Sequence, residues 1–234
     1  MNFAVGAKTT HFKNFHRAVL LLLLLLLLII GSLKVAALDF DRMQHVLAQR
    51  FGAPAAGAFV DWQTLLKQGA EQPAPAKLKL VNDFFNRRIK FDEDLTVWKK
   101  SDYWATPMET LGRGAGDCED FAIVKYFTLL LLGIPDEKLR LVYVQARIGG
   151  INSSITQAHM VLAFYPVPDA EPLILDNLIN DLRPASRRPD LLPVFSFNSQ
   201  GLWQGASGAR GAGGPGTLSR WQELLNRARA EGFD

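Results

Sequence analysis

The chain has 234 residues, 48% hydrophobic and 21% charged, enough to bury a sizeable core as one domain with an appendage. Its formal charge of +3 is local: Lys8, Lys13, Arg17 and Lys34 stand in residues 1–37 with no acid, which leaves 22 basic against 23 acidic residues beyond them. A near-neutral body with no basic patch and no interleaved aromatics excludes electrostatic capture of a nucleic-acid backbone.

Residues 1–37 carry the pattern of a secretory signal. The cations are followed by an uninterrupted apolar run of 13 residues from Ala18 to Ile30, then by small residues that suit cleavage after Ala37. The run is shorter than the ~20 residues that span a bilayer, so an uncleaved anchor is the weaker of the two readings. Either way the body, from residue 38 onward, is expected outside the cytoplasm.

Helical spacing predicts short helices over 39–51, 60–67 and 76–88, then a stretch of turn or short-strand character from Ile89 to Tyr103. Thr106-Pro107-Met108-Glu109 opens another helix, with Thr as cap, Pro at the first position and Glu near the third. The next helix, Cys118 to Leu132, has the clearest ends. Asp117 can cap it, Gly133 suits a left-handed terminus and Pro135 prevents continuation. Its body is apolar nearly all round, the mark of a buried central helix.

Strands follow at Leu139–Arg147, His159–Tyr165 and Leu173–Leu175, with a fourth over Val194–Asn198, and their short connections imply an antiparallel sheet. Seven glycines between Gly201 and Gly216 read as a linker, ahead of a polar helix from Leu218 to Ala230. Helices first and strands second give an α+β fold, with the central helix packed on the sheet.

Cys118 is the only cysteine, and it sits at a helix start within Gly116-Asp117-Cys118-Glu119-Asp120. Exposed N–H groups and the positive end of the dipole favour a thiolate there. A lone thiol in an exported chain has no internal disulfide partner, and a buried structural residue seldom lies between two acids. Of the four histidines, His11 and His16 fall in the signal and His45 in the first helix, leaving His159, 41 positions beyond the cysteine. Asp176 ends the next strand. Adjacent antiparallel strands put the start of one beside the end of the other, so His159 and Asp176 can meet and a helix on that sheet can bring Cys118 to them. A thiol nucleophile, an imidazole base and an orienting carboxylate are what acyl-transfer chemistry needs. Taken singly, His159 is equally a strand-edge histidine and Asp176-Asn177 equally a turn. Trp104 reads either as a core aromatic or as an indole donor to an oxyanion.

Gly116-Asp117-Cys118-Glu119-Asp120-Phe121-Ala122, Lys125-Tyr126-Phe127, Gly133-Ile134-Pro135, Ala158-His159-Met160-Val161-Leu162 and Leu175-Asp176-Asn177-Leu178 together resemble the bacterial transglutaminase-like cysteine proteinases. The likeness is to the group of periplasmic proteases that release surface adhesins, and it spans about Phe51 to Phe197. The resemblance implies a papain/transglutaminase-like fold over 38–200, with 201–234 outside it. It also implies Cys118 as nucleophile, His159 as general base and acid, and Asp176 as orienting carboxylate. The substrate implied is a large surface adhesin, cut in its N-terminal region at a small-residue site to disperse a biofilm. The implied regulator is an inhibitory inner-membrane cyclic di-GMP receptor of the LapD type. Transglutaminase or amidase transfer by the same three residues, and a catalytically dead binding module, are the competing readings.

Asp117, Glu119 and Asp120 create a conflict at the thiol. A carboxylate ~4 Å from a thiolate repels it by about 1 kcal/mol in water and about 4 kcal/mol at an effective dielectric near 20. A divalent cation on these oxygens cancels the repulsion, and a hard carboxylate set without a second His or Cys favours calcium over zinc. The resemblance implies the same ion, held by the acids flanking the nucleophile.

Overall fold

The computed structural model describes residues 38–150, 152–205, 211 and 214–233. The signal segment 1–37 and much of the glycine run (206–210 and 212–213) lie outside the described residues. Among the described residues, no helix is long and apolar enough to cross a membrane.

The described residues begin with three helices, α1 (Phe40–Phe51), α2 (Ala53–Gly69) and α3 (Ala74–Arg88). Asp39 caps α1 by accepting a hydrogen bond from the Arg42 N–H at 2.9 Å. The second helix is longer than its apolar spacing predicts. Gly52, at φ 85°, ends α1, and Pro54 fits the first turn of α2, so the Gly-Pro pair separates two helices without a loop. A two-residue strand β1 (Lys90–Phe91), a one-turn helix α4 (Asp94–Val97) and α5 (Pro107–Arg113) lead to β2 (Ala115–Gly116). The start of α5 has the expected capping box: Thr106 Oγ1 accepts from the Glu109 N–H, and Glu109 Oε2 accepts from the Thr106 N–H.

Helix α6 (Cys118–Leu131) is the central helix, with Phe121, Ala122, Ile123, Val124, Tyr126 and Leu129 all buried. It packs on the two middle strands of a six-stranded antiparallel sheet. In chain order the strands are β3 (Leu139–Arg147), β4 (Thr156–Phe164), β5 (Leu173–Leu175), β6 (Arg183–Pro184), β7 (Leu191–Phe197) and β8 (Leu202–Gln204). Their order in the sheet is β6-β5-β4-β3-β7-β8. This is the α+β arrangement the sequence implies.

The last helix, α7 (Ser219–Ala230), is not an appendage. Trp221, Leu224 and Ala228 are buried, and the Trp221 ring lies 5.3 Å from Phe197 and 5.7 Å from Tyr126. Phe233, after the helix, packs 5.5 Å from Phe127. The tail therefore completes the core between α6 and the sheet. Three strand edges also differ from the expected ones: β4 starts at Thr156, β7 starts at Leu191, and β8 lies inside the glycine-rich stretch.

Candidate active site

Two backbone devices place the loop that carries Cys118. Strand β1 pairs in parallel with β2, Lys90 opposite Ala115 and Phe91 opposite Gly116, so residues 90–92 run beside residues 114–116. Gly114, at φ 61°, ends α5 in the left-handed conformation and turns the chain into β2. Gly116 has no room for a side chain, because a Cβ there would press into the Asp120 carboxylate. The Gly-Asp-Cys-Glu-Asp run is thus fixed by steric need at its first residue.

Asp117 stands at the N-cap position of α6, yet its side chain makes no capping hydrogen bond. Asp120, at the third helical position, accepts from the Ala105 N–H at 2.8 Å and holds the segment before α5. The helix-start acids are directed away from capping and toward one another. Oxygens of Asp94, Asp117 and Asp120 come within 4.8 Å of each other, and Asp117, the Cys118 sulfur and Glu119 form a second such group. Asp94 Oδ1, Asp117 Oδ1 and Asp120 Oδ2 are buried without a hydrogen-bond partner of normal geometry. Uncompensated buried carboxylate oxygens are costly, and several of them converging is the donor set of a hard cation such as calcium.

The electrostatics agree. Burial, then repulsion from Glu119 and Asp120, pushes the Asp117 carboxyl up to about 10. Burial, with Glu119 and Asp102 adding repulsion, raises Asp94 to about 6. Asp120 is raised well above the carboxylate range, chiefly by burial. Cys118 suffers likewise: burial pushes its thiol up, and the Glu119 and Asp117 carboxylates add to the shift. Its sulfur donates to Glu119 Oε2 at 3.0 Å. The structure thus gathers Asp117 and Glu119 at the thiol, sets Asp120 beside Asp117, and adds to that second group Asp94, which sequence reasoning missed. Asp94 comes from a segment read only as turn or short strand, and the acidic run Asp92-Glu93-Asp94 was the available signal.

In the other half of the site each charged group faces an opposite partner. His159 Nε2 meets Asp176 Oδ1 at 2.8 Å, with both side chains buried. Asp176 Oδ1 also accepts the Leu178 N–H at 3.0 Å, and Oδ2 accepts from Arg188 Nη2 at 2.7 Å. Burial works against the Asp176 carboxylate, but the His159 hydrogen bond and the charges of His159 and Arg188 outweigh it and bring it down to about 2. Arg188, only 3% exposed at its side chain, is itself braced by Asp190 at 2.7 Å. It lies in a stretch the sequence presents as an Arg- and Pro-rich loop, so nothing local marks it.

Cys118 and His159 line one cleft together with Glu119 and Met160. Tyr143 and Phe195, stacked at 5.2 Å, form part of its lining. Trp104 also faces the cleft while stacking on Phe197 at 5.6 Å, so it is both a core aromatic and a wall. Residues 217–220, entering α7, supply another wall, where Arg220 Nη2 pairs with Asp102 Oδ2 at 2.8 Å.

Comparison with known proteins bears on this geometry. A family profile described as bacterial transglutaminase-like cysteine proteinase matches residues 63–192. The EGTA-treated structure of LapG from Legionella pneumophila superposes with a TM-score of 0.70 at 39% identity, covering 81% of this chain and 97% of that one. The calcium-bound structure of the same protein gives 0.68 at 39% identity, over 80% and 98% of the two chains. The comparison with curated proteins gives no match.

Proposed function

Because the chain belongs to the bacterial transglutaminase-like cysteine proteinases, we propose that it is a calcium-dependent periplasmic endopeptidase that cuts the N-terminal region of a large surface adhesin. The observation that carries this reading is the buried His159–Asp176 pair opening onto the same cleft as the helix-start thiol of Cys118.

In the proposed reaction Asp176 holds His159 through Nε2, which leaves Nδ1 to take the thiol proton. The thiolate attacks the scissile carbonyl, and the amine leaves with the proton that His159 returns. Water, deprotonated by the same imidazole, then hydrolyses the acyl-enzyme and restores the thiol. The Cys118 backbone N–H, unpaired at the start of α6, donates to the oxyanion.

Asp94, Asp117, Glu119 and Asp120 would hold the calcium ion, whose positive charge would offset their repulsion of the thiolate. The calcium-bound and EGTA-treated forms of LapG support this assignment. By the same family reasoning, the cut would release the adhesin and disperse a biofilm, and an inner-membrane cyclic di-GMP receptor of the LapD type would restrain the protease. The test is incubation of the chain with the N-terminal fragment of a candidate adhesin. Cleavage that needs calcium and disappears in Cys118→Ala supports the reading; cleavage by Cys118→Ala, or cleavage indifferent to strong chelation, refutes it.

A further inference from the structure

Lys125 belongs to none of these groups, yet it is 1% exposed and lies seven residues beyond Cys118 on the same face of α6, two turns along. An ammonium is among the least tolerated groups in a protein interior unless something there requires it. Its Nζ donates to Asn82 Oδ1 at 2.8 Å. Burial pushes the amine down to about 7, and the Asp176 charge partly restores it. Asn82, fully buried on α3, passes the connection on: its Nδ2 donates to the Asn180 carbonyl at 2.9 Å. One turn later on that helix, Asn86 Nδ2 donates to the Asp176 carbonyl at 2.7 Å and to Asn180 Oδ1 at 3.0 Å.

Three side chains therefore run from the helix that begins at Cys118, through α3, to the turn that follows β5. That turn, residues 176–180, has no strand partner of its own beyond Leu175, where the β4–β5 pairing ends. Without the relay, the Asp176 backbone would be held only by its neighbours in the chain and by its own side-chain bonds.

We propose that Lys125, Asn82 and Asn86 are positioning residues that lock the turn carrying Asp176 to the helix carrying Cys118. The proposal rests on the reading of Cys118, His159 and Asp176 as a triad. The relay touches neither substrate nor reacting atoms. It acts by fixing the carboxylate against which the His159 ring is oriented.

Two variants test it: Asn86→Ala, which releases the turn, and the double variant Asn82→Leu/Lys125→Met, which removes the polar pair together and leaves no buried charge behind. In the full chain with calcium, both should cleave the adhesin fragment with kcat lowered roughly tenfold and KM within about twofold of wild type. The ¹H–¹⁵N signal of the His159 Nε2–H, bonded to Asp176, should shift in both. Melting curves of the same samples show that the variants are folded. Wild-type kcat and an unmoved His159 signal, with only the melting temperature lowered, would overturn the proposal and leave the three residues purely structural. If His159→Ala or Asp176→Ala cleaves like wild type, the triad reading is what fails. The His159 signal needs no turnover, and its displacement in Asn86→Ala would still uphold the relay.

Discussion

The two ends of the cleft are built on opposite principles. At His159, every charged group has its partner: imidazole on Asp176, Asp176 on Arg188, Arg188 on Asp190. At Cys118, carboxylates face one another with buried oxygens unsatisfied, and the thiol is raised by the same crowding. The first end is assembled by the fold alone. At the second the fold gathers acids that a cation would neutralise, so on the proposed reading the base stands ready and the nucleophile would depend on bound calcium. On that reading activity would respond to a solute without any element of secondary structure having to move.

The largest effects should break this contrast outright. Chelation of calcium is expected to abolish cleavage while the far-ultraviolet circular dichroism stays that of a folded chain, because the sheet and the His159 end do not depend on the ion. Next comes Arg188→Leu, which leaves Asp176 buried with one charged partner fewer. Breaking a buried pair this way typically costs about 3–5 kcal/mol, so both the denaturation midpoint and kcat should fall, with calcium affinity little changed.

Asp94→Asn should sharpen the comparison from the other side. Calcium binding measured by titration calorimetry is expected to weaken at least about tenfold. The calcium-free variant should melt higher than calcium-free wild type, since one of the mutually repelling carboxylates is gone. A calcium-free melting temperature below wild type would show that Asp94 is satisfied in some other way.

The smallest effect concerns pH. Lys125 is at about 7 in the folded chain against about 10.5 when unfolded. Between those values the unfolded chain carries a proton that the folded chain does not, so this group makes stability rise with pH across that window. In calcium, the difference in unfolding free energy between wild type and Lys125→Met should therefore grow in favour of wild type from pH 7 to 10. A flat difference would mean that the amine stays charged in the fold.

How much of this was legible in the sequence depended on range. Cys118, His159 and Asp176 declared themselves because each is a chemically marked residue at the end of a well-patterned element, and the hairpin between β4 and β5 makes the last two neighbours by topology alone. Asp94 and Arg188 were not legible. Asp94 reaches Asp117 and Asp120 through the parallel pairing of β1 with β2, a contact between two-residue strands that no periodicity announces. Arg188 joins Asp176 from a turn of Arg and Pro, where composition suggests solvent. The early ends of β4 and β7 were missed for related reasons. Thr156-Gln157-Ala158 is exposed and lacks an apolar rhythm, and Pro193 lies just past a register shift in the β3–β7 pairing, where a missing N–H is tolerated. The tail misled most, because its helix is polar on average and its buried face rests on a few residues such as Trp221 and Leu224.

That tail has a genetic consequence. Every residue assigned to the chemistry lies upstream of residue 190, yet Trp221 plugs the space between Tyr126, Phe127 and Phe197, and residues 217–220 wall the cleft. A nonsense codon or frameshift between residues 198 and 220 would spare the whole catalytic alphabet and still leave three aromatic rings bare to water. Alleles truncated there should behave as complete knockouts, through loss of soluble protein rather than loss of a reacting group.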